Sequence, residues 1–298
     1  MVGRQSDLSA GHLAARPRRP RSPVAQKGSG AAEARQKGTP PRAKLSRAEP
    51  HNLKSLFKIT DILDCFSLAE RELSVTEIAR RTGMPKSTAH RIIDSLRTVG
   101  FLEQDATRER YRLGLRLFEY GSTVLGSMEL HRAASPFVEA VTKRSGEDVH
   151  LCVFNGSHML LVRAAQASSR QNTLTMMEAS VCYSTGVGKA ALAFQPETTI
   201  RKIIEAGLVA FTPYTITDGE RLRKELATIR ERGFALDDRE HELDVRCVAA
   251  PIRNASGRVF AALSVSGPAR RFTESREPVL AALVVEHAAS ISAQLGFR

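Results

Sequence analysis

No stretch of this 298-residue chain approaches the roughly 18 uninterrupted apolar residues that span a bilayer, and its N-terminal segment lacks the apolar core of a secretory signal. A cytoplasmic protein is therefore expected. Its four cysteines, Cys65, Cys152, Cys182 and Cys247, form no C-x-x-C pair and have no histidine at zinc spacing, so reduced thiols are expected and no metal. A third absence concerns residues 184–190, STGVGKA, whose Gly-Lys pair invites a phosphate-loop reading. That loop needs a glycine five positions earlier and a hydroxyl residue after the lysine. Tyr183 and Ala190 stand there instead, which excludes the full motif. What survives is a small-residue turn running into AALAF, a helix start with free N–H groups that could hold some other anion.

Charge is unevenly placed. Residues 1–50 hold eleven Lys or Arg against three Asp or Glu, a surplus of +8 within the total of +12. This tail is rich in Pro, Gly, Arg and Ala, a composition that buries too little surface to offset ordering entropy, so it is read as disordered. Non-specific attraction to nucleic-acid phosphates, a plain solvated extension and an organelle transit peptide remain the alternatives, the last disfavoured by prolines 17, 20 and 23.

Organised sequence begins after residue 50. In SLFKITDILDCFS the spacing of Leu56, Ile59, Leu63 and Phe66 predicts one apolar helix face. Ser74-Val75-Thr76-Glu77 has the form of a capping box opening a short helix closed by Gly83. A third helix follows, with Pro85 at its first position and Ala89, Ile92, Ile93 and Leu96 forming a core stripe. Ser87, His90, Arg91 and Asp94 point the other way, flanked by Lys86 and Thr88. Short helix, glycine turn and second helix form the helix-turn-helix signature, and two short strands around DATRER add a wing. Lys86, Ser87, Thr88, His90 and Arg91 suit a major groove, the bland alternative being a solvated face.

The segment LGLRLFEYGSTVLGSMEL reads as one helical bridge to a second domain. There DVHLCVF and HMLLVRA are joined by Asn155-Gly156-Ser157, and VRCVAAPI and RVFAALSVSG by residues 254–257, which predicts antiparallel hairpins. With DGERLRKELATIRERG and PVLAALVVEHAASISAQL as flanking helices, the domain is expected to be α+β.

The ordered set SVTEIARRTGMPKSTAHRIIDSLRTVGFLEQD, YRLGLRL, GKAALAF, YTITD, IRERGFALDD, DVRCVAAPI and ALSVSGP resembles the IclR family of bacterial transcription regulators along nearly the whole chain after residue 50. The resemblance implies an α+β protein: an N-terminal winged helix-turn-helix (51–113), a linker helix (114–130) and a GAF-like effector-binding domain (131–298). It implies operator DNA, near-palindromic for a homodimer or dimer of dimers, a small-molecule effector, no cofactor, and a nucleoid-associated location. Carried over residue by residue, the effector site comprises Thr185, Gly186, Val187, Asp237, Cys247, Ser264 and Ser266. Ser264 and Ser266 share one strand face, so their hydroxyls need a ligand, a water or nearby backbone. Asp237 repels an acid unless protonated or paired with a ligand hydroxyl, the alternative being that it holds a loop instead. Lys189 is expected to face solvent. Val181-Cys182-Tyr183 departs from the family's usual Pro-Leu-His-like stretch, which bears on which ligand fits. A repressor controlled by an organic or aromatic acid is the leading expectation, and a GAF-like cysteine redox enzyme fused to a DNA-binding domain is the alternative.

Overall fold

The computed structural model describes residues 54–67, 69–105, 107, 109–167 and 180–298. The basic tail lies outside the described residues, so its reading as disordered remains an expectation. Helices α1 (Lys54–Leu63), α2 (Val75–Thr82) and α3 (Lys86–Thr98) pack around Ile62, Ile78, Ala89, Ile93 and Leu96. The capping box forms as expected. Ser74 Oγ accepts from Glu77 N at 3.3 Å while the Glu77 carboxylate accepts from Ser74 N at 2.7 Å, and these bonds, joined by Arg110, hold the Glu77 carboxyl down at about 2. Gly83 ends α2 with φ 69°, the left-handed conformation that lets the chain turn sharply into α3.

Two local expectations shift. Pro85 stands at the N-cap of α3, one position before the first helical residue. On α1 the buried residue is Ile62, whereas Leu56 is 56% exposed, because the three-helix core meets only the C-terminal half of that helix. The wing is β1 (Leu102–Asp105) paired antiparallel with β2 (Arg110–Leu113), and a bridge from Leu73 to Tyr111 ties it to the entry of α2.

The expected single bridging helix is two. α4 (Leu115–Ser127) ends where Met128 takes an extended conformation, ψ 112°, and α5 (Glu129–Ser145) then starts afresh. α5 packs on an antiparallel sheet ordered β5-β4-β3-β8-β7-β6, comprising β3 (Asp148–Phe154), β4 (His158–Ala165), β5 (Ser180–Val181), β6 (Ala235–Asp238), β7 (Val245–Arg253) and β8 (Val259–Pro268). Both expected hairpins, β3–β4 and β7–β8, are present. Alternation along the strands then divides the residues between two cores. Val149, Leu151, Val248, Ala250, Leu263 and Val265 face α5 and α9 (Glu277–Gln294). Cys152, Cys247, Ala249 and Ala262 face α6 (Gly186–Leu192) and α8 (Gly219–Arg232), with α7 (Glu197–Glu205) beside them. This second face carries the polar residues singled out in the sequence.

Candidate functional site

On α3, burial of Ala89, Ile93 and Leu96 forces the opposite face outward. Lys86, Ser87, His90 and Arg91 are exposed and Thr88 is half-buried, with Ile92 half-buried at the edge of the core. Asp94 on the same face is engaged by Arg97 at 2.7 Å. Among the described residues Lys86 and Arg91 make no ion pair, so their charges are free for phosphate or base edges. Arg81, Arg110 and Arg112, by contrast, are committed to Glu70, Glu77 and Glu103.

In the second domain the turn before α6 is fixed from within. Thr185 is its N-cap, accepting from Gly188 N at 3.2 Å and donating to Val181 O at 2.8 Å. Its hydroxyl is therefore already occupied. The two glycines answer the question raised by the Gly-x-Gly-Lys run. A Cβ on Gly186 would sit 2.7 Å from Cys247 Sγ, and one on Gly188 would sit 2.5 Å from Cys182 Cα and 2.7 Å from Cys182 O. Backbone and strand approach too closely for any side chain there, so the glycines serve packing.

Lys189 overturns its expectation. It is 1% exposed and forms an ion pair with Glu240, with Glu225 at 3.6 Å. Every residue of α6 is buried, so a lysine here has no solvent to face. It is held inside by opposite charge, as buried charges require. Glu240 is in turn pinned by its backbone. Its N–H donates to Asp237 Oδ1 at 2.8 Å, and its carbonyl accepts from the Thr215 hydroxyl at 2.6 Å. The sequence signal for this was present in GVGKAALAF, a lone charge in an otherwise apolar helix.

Register brings the remaining residues together. Asp237 pairs with Cys247, and Cys247 with Ser266; one step along, Ala249 pairs with Ser264, and Ser264 with His150. All these side chains share the face toward α6. Ser264 is buried, while Ser266 is half-buried. Burial pushes the Asp237 carboxyl up to about 7, with the Glu240 charge adding to the rise and Lys189 opposing it. Burial likewise pushes the Cys152 thiol up to about 12 and those of Cys182 and Cys247 higher still. Such thiols carry almost no thiolate at neutral pH, the opposite of what redox chemistry needs. Neither Lys189 nor His150 was among the expected site residues.

A winged helix-turn-helix with unpaired outward cations, joined to a sheet domain with a polar patch beneath a tight turn, defines a DNA-binding transcription regulator with an effector-binding domain. Residues 55–106 match the IclR helix-turn-helix domain, and residues 122–293 match the bacterial transcriptional regulator IclR C-terminal domain. HTH-type transcriptional regulator KdgR of Escherichia coli (strain K12) is 31% identical over 84% of this chain and 95% of its own length. The transcriptional repressor IclR of the same strain is 30% identical over 82% and 90%. The Thermotoga maritima IclR structure aligns with TM-score 0.61 at 33% identity, covering 82% of this chain and 100% of that one. An IclR homologue from Microbacterium hydrocarbonoxydans, complexed with 4-hydroxybenzoate, aligns with TM-score 0.68 at 28% identity over 81% and 98%. The chain belongs to the IclR family of bacterial transcriptional regulators, and these named relatives are regulators, not enzymes. Among the described residues no helix is long and apolar enough to cross a membrane.

Proposed function

We propose that the protein is a cytoplasmic repressor, associated with the nucleoid, whose hold on a near-palindromic operator is controlled by a small organic or aromatic acid. The carrying observation is the cross-strand row Asp237–Cys247–Ser266, with Ser264 one step along, on the sheet face that packs against α6. In this reading Thr185, Gly186 and Val187 contribute backbone, Asp237, Cys247, Ser264 and Ser266 contribute side chains, and the domain spans 131–298. The 4-hydroxybenzoate complex of a relative and the repressor names of others support an acid effector and a negative sign of control. Lys86, Ser87, Thr88, His90 and Arg91 read DNA from the 51–113 domain. A homodimer or dimer of dimers fits α4, the linker of 114–130: it buries none of its residues and leaves Leu115 72% and Phe118 70% exposed, surface that a second copy would cover.

Two experiments test this. Arg91→Ala is expected to weaken binding to the footprinted operator by about 1–3 kcal/mol while leaving binding to unrelated DNA nearly unchanged. Equal losses on both DNAs would reduce Arg91 to a phosphate contact. The Ser264→Ala/Ser266→Ala variant should bind operator with wild-type affinity and lose its response to a metabolite that releases the wild type, because a ligand shifts an equilibrium only by its differential affinity for the two states. Fluorescence anisotropy reads both, and an intact response in the double variant would move the effector elsewhere.

A further inference from the structure

His150 lies on β3 directly opposite Ser264, on the sheet face that carries the candidate effector residues. Its neighbour in the next row is Asp148, which pairs with Ser266. Among the described residues the His150 ring makes no hydrogen bond, although the side chain is partly buried. A neutral imidazole has one nitrogen that donates and one that accepts, so both capacities are open to a ligand on this face. The other histidines of this domain's core are engaged: His287 with the Leu283 carbonyl at 2.8 Å, and His241 with Ser184 Oγ at 3.1 Å. The Ser266 hydroxyl, one row along on the same face, likewise makes no side-chain hydrogen bond to the described residues. Two polar side chains thus stand on one face, both able to bond a ligand.

Position gives this a chemical meaning. The turn at Gly186 meets the sheet at Cys247 on β7, and His150 lies two strands away, across β8. Two strand spacings amount to about 10 Å. A two- or three-carbon acid held at the turn cannot reach that far, whereas a ligand with a six-membered ring or a six-carbon chain can. Burial pulls the His150 ring below the ordinary histidine range, with the Asp148 charge opposing, so the group offered at that end is a neutral donor and acceptor. A hydroxyl or carbonyl satisfies both roles, while a second carboxylate would meet the Asp148 charge.

We propose that His150 is a specificity-determining contact that selects acids bearing a hydroxyl or carbonyl at the end remote from the carboxylate. This rests on the acid-effector reading above and adds the shape and far-end chemistry of the ligand.

The test uses two matched pairs of probes with the full-length protein: phenylacetate against 4-hydroxyphenylacetate, and hexanoate against 6-hydroxyhexanoate. Calorimetry on the wild type should show the hydroxylated member of at least one pair binding about tenfold tighter or better, because a site built to bond a hydroxyl rejects the analogue lacking it. In His150→Leu that ratio should fall to about two or less, with the unsubstituted acid binding as in the wild type. His150→Asn, which keeps a donor and an acceptor, should restore part of the preference and stands in if the leucine variant does not fold. A wild-type ratio near one, or a preference that survives in His150→Leu, overturns the proposal while leaving the acid reading intact. If none of the four acids binds the wild type at millimolar concentration, the acid reading falls and this proposal falls with it.

Discussion

Replacing Lys189 with alanine is expected to destabilise the effector domain by about 3–5 kcal/mol, the loss found when one partner of a buried ion pair is removed and the other stays charged and unpaired. Glu240 is the stranded partner: it is 7% exposed, and its second oxygen, Oε2, already has no hydrogen-bond partner. Glu225, whose carboxylate lies 3.6 Å from the Lys189 ammonium and 2.9 Å from Arg232, is a like charge and offers Glu240 no compensation. Urea unfolding measures the loss. Lys189→Met/Glu240→Gln should recover most of it, because removing both charges removes the desolvation penalty together with the attraction, and the double-mutant cycle isolates the pair. A single-variant loss below about 1 kcal/mol would mean that the lysine reaches water, as surface pairs do. The same enclosure argues against a phosphate role, since the ammonium is held between two carboxylates beneath the fully buried α6.

How much of this was legible in the sequence depended on the range of the interaction that decides each feature. The capping box at Ser74 and the Asn-Gly turn at residues 155–156 are decided within four residues, and both formed as read. The break at Met128 carries no glycine or proline of its own, and the bridging segment therefore read as one helix. Sheet order was not legible: β3 lies between its hairpin partner β4 and β8, a strand more than a hundred residues later. The site residues inherited that difficulty. Ser264 and Ser266 could be placed on one face from spacing alone, yet their meeting with His150, Asp148 and Cys247 depends on pairings that no local pattern encodes. Lys189 was misplaced for a different reason. The lone charge in GVGKAALAF marks it as unusual, but a lysine at a helical position is usually solvated, and its partner emerges only once Glu240, fifty-one residues on, is carried beneath α6 by β6 and the loop after it.

Asp237 is the group that should make the effector domain sensitive to pH. Its carboxyl rises from 3.8 to about 7, chiefly through burial, then through the Glu240 charge, against the opposing pull of Lys189 and of the Glu240 and His241 N–H groups. The folded protein therefore holds this proton more tightly than the unfolded chain does. The stability it contributes is complete below about pH 4, is lost progressively as pH rises through 7, and is absent above; about three pKa units correspond to about 4 kcal/mol, to order of magnitude. Glu240 is shifted in the same direction and His150 in the opposite one, so the wild-type curve mixes three groups and only a difference isolates Asp237. Asp237→Asn keeps an oxygen for the Glu240 N–H and cannot ionise. The variant should match the wild type at pH 4 and become progressively more stable relative to it up to pH 8, with the change in the difference centred between the two pKa values. A difference that does not vary over that range would show an ordinary, ionised aspartate. The functional consequence follows from the same proton. If the effector is an acid, as proposed above, it meets a carboxyl that is readily neutral near pH 7, and its charge should draw that proton in further. Calorimetric titrations in two buffers of different ionisation enthalpy should therefore report net proton uptake on binding, which Asp237→Asn abolishes.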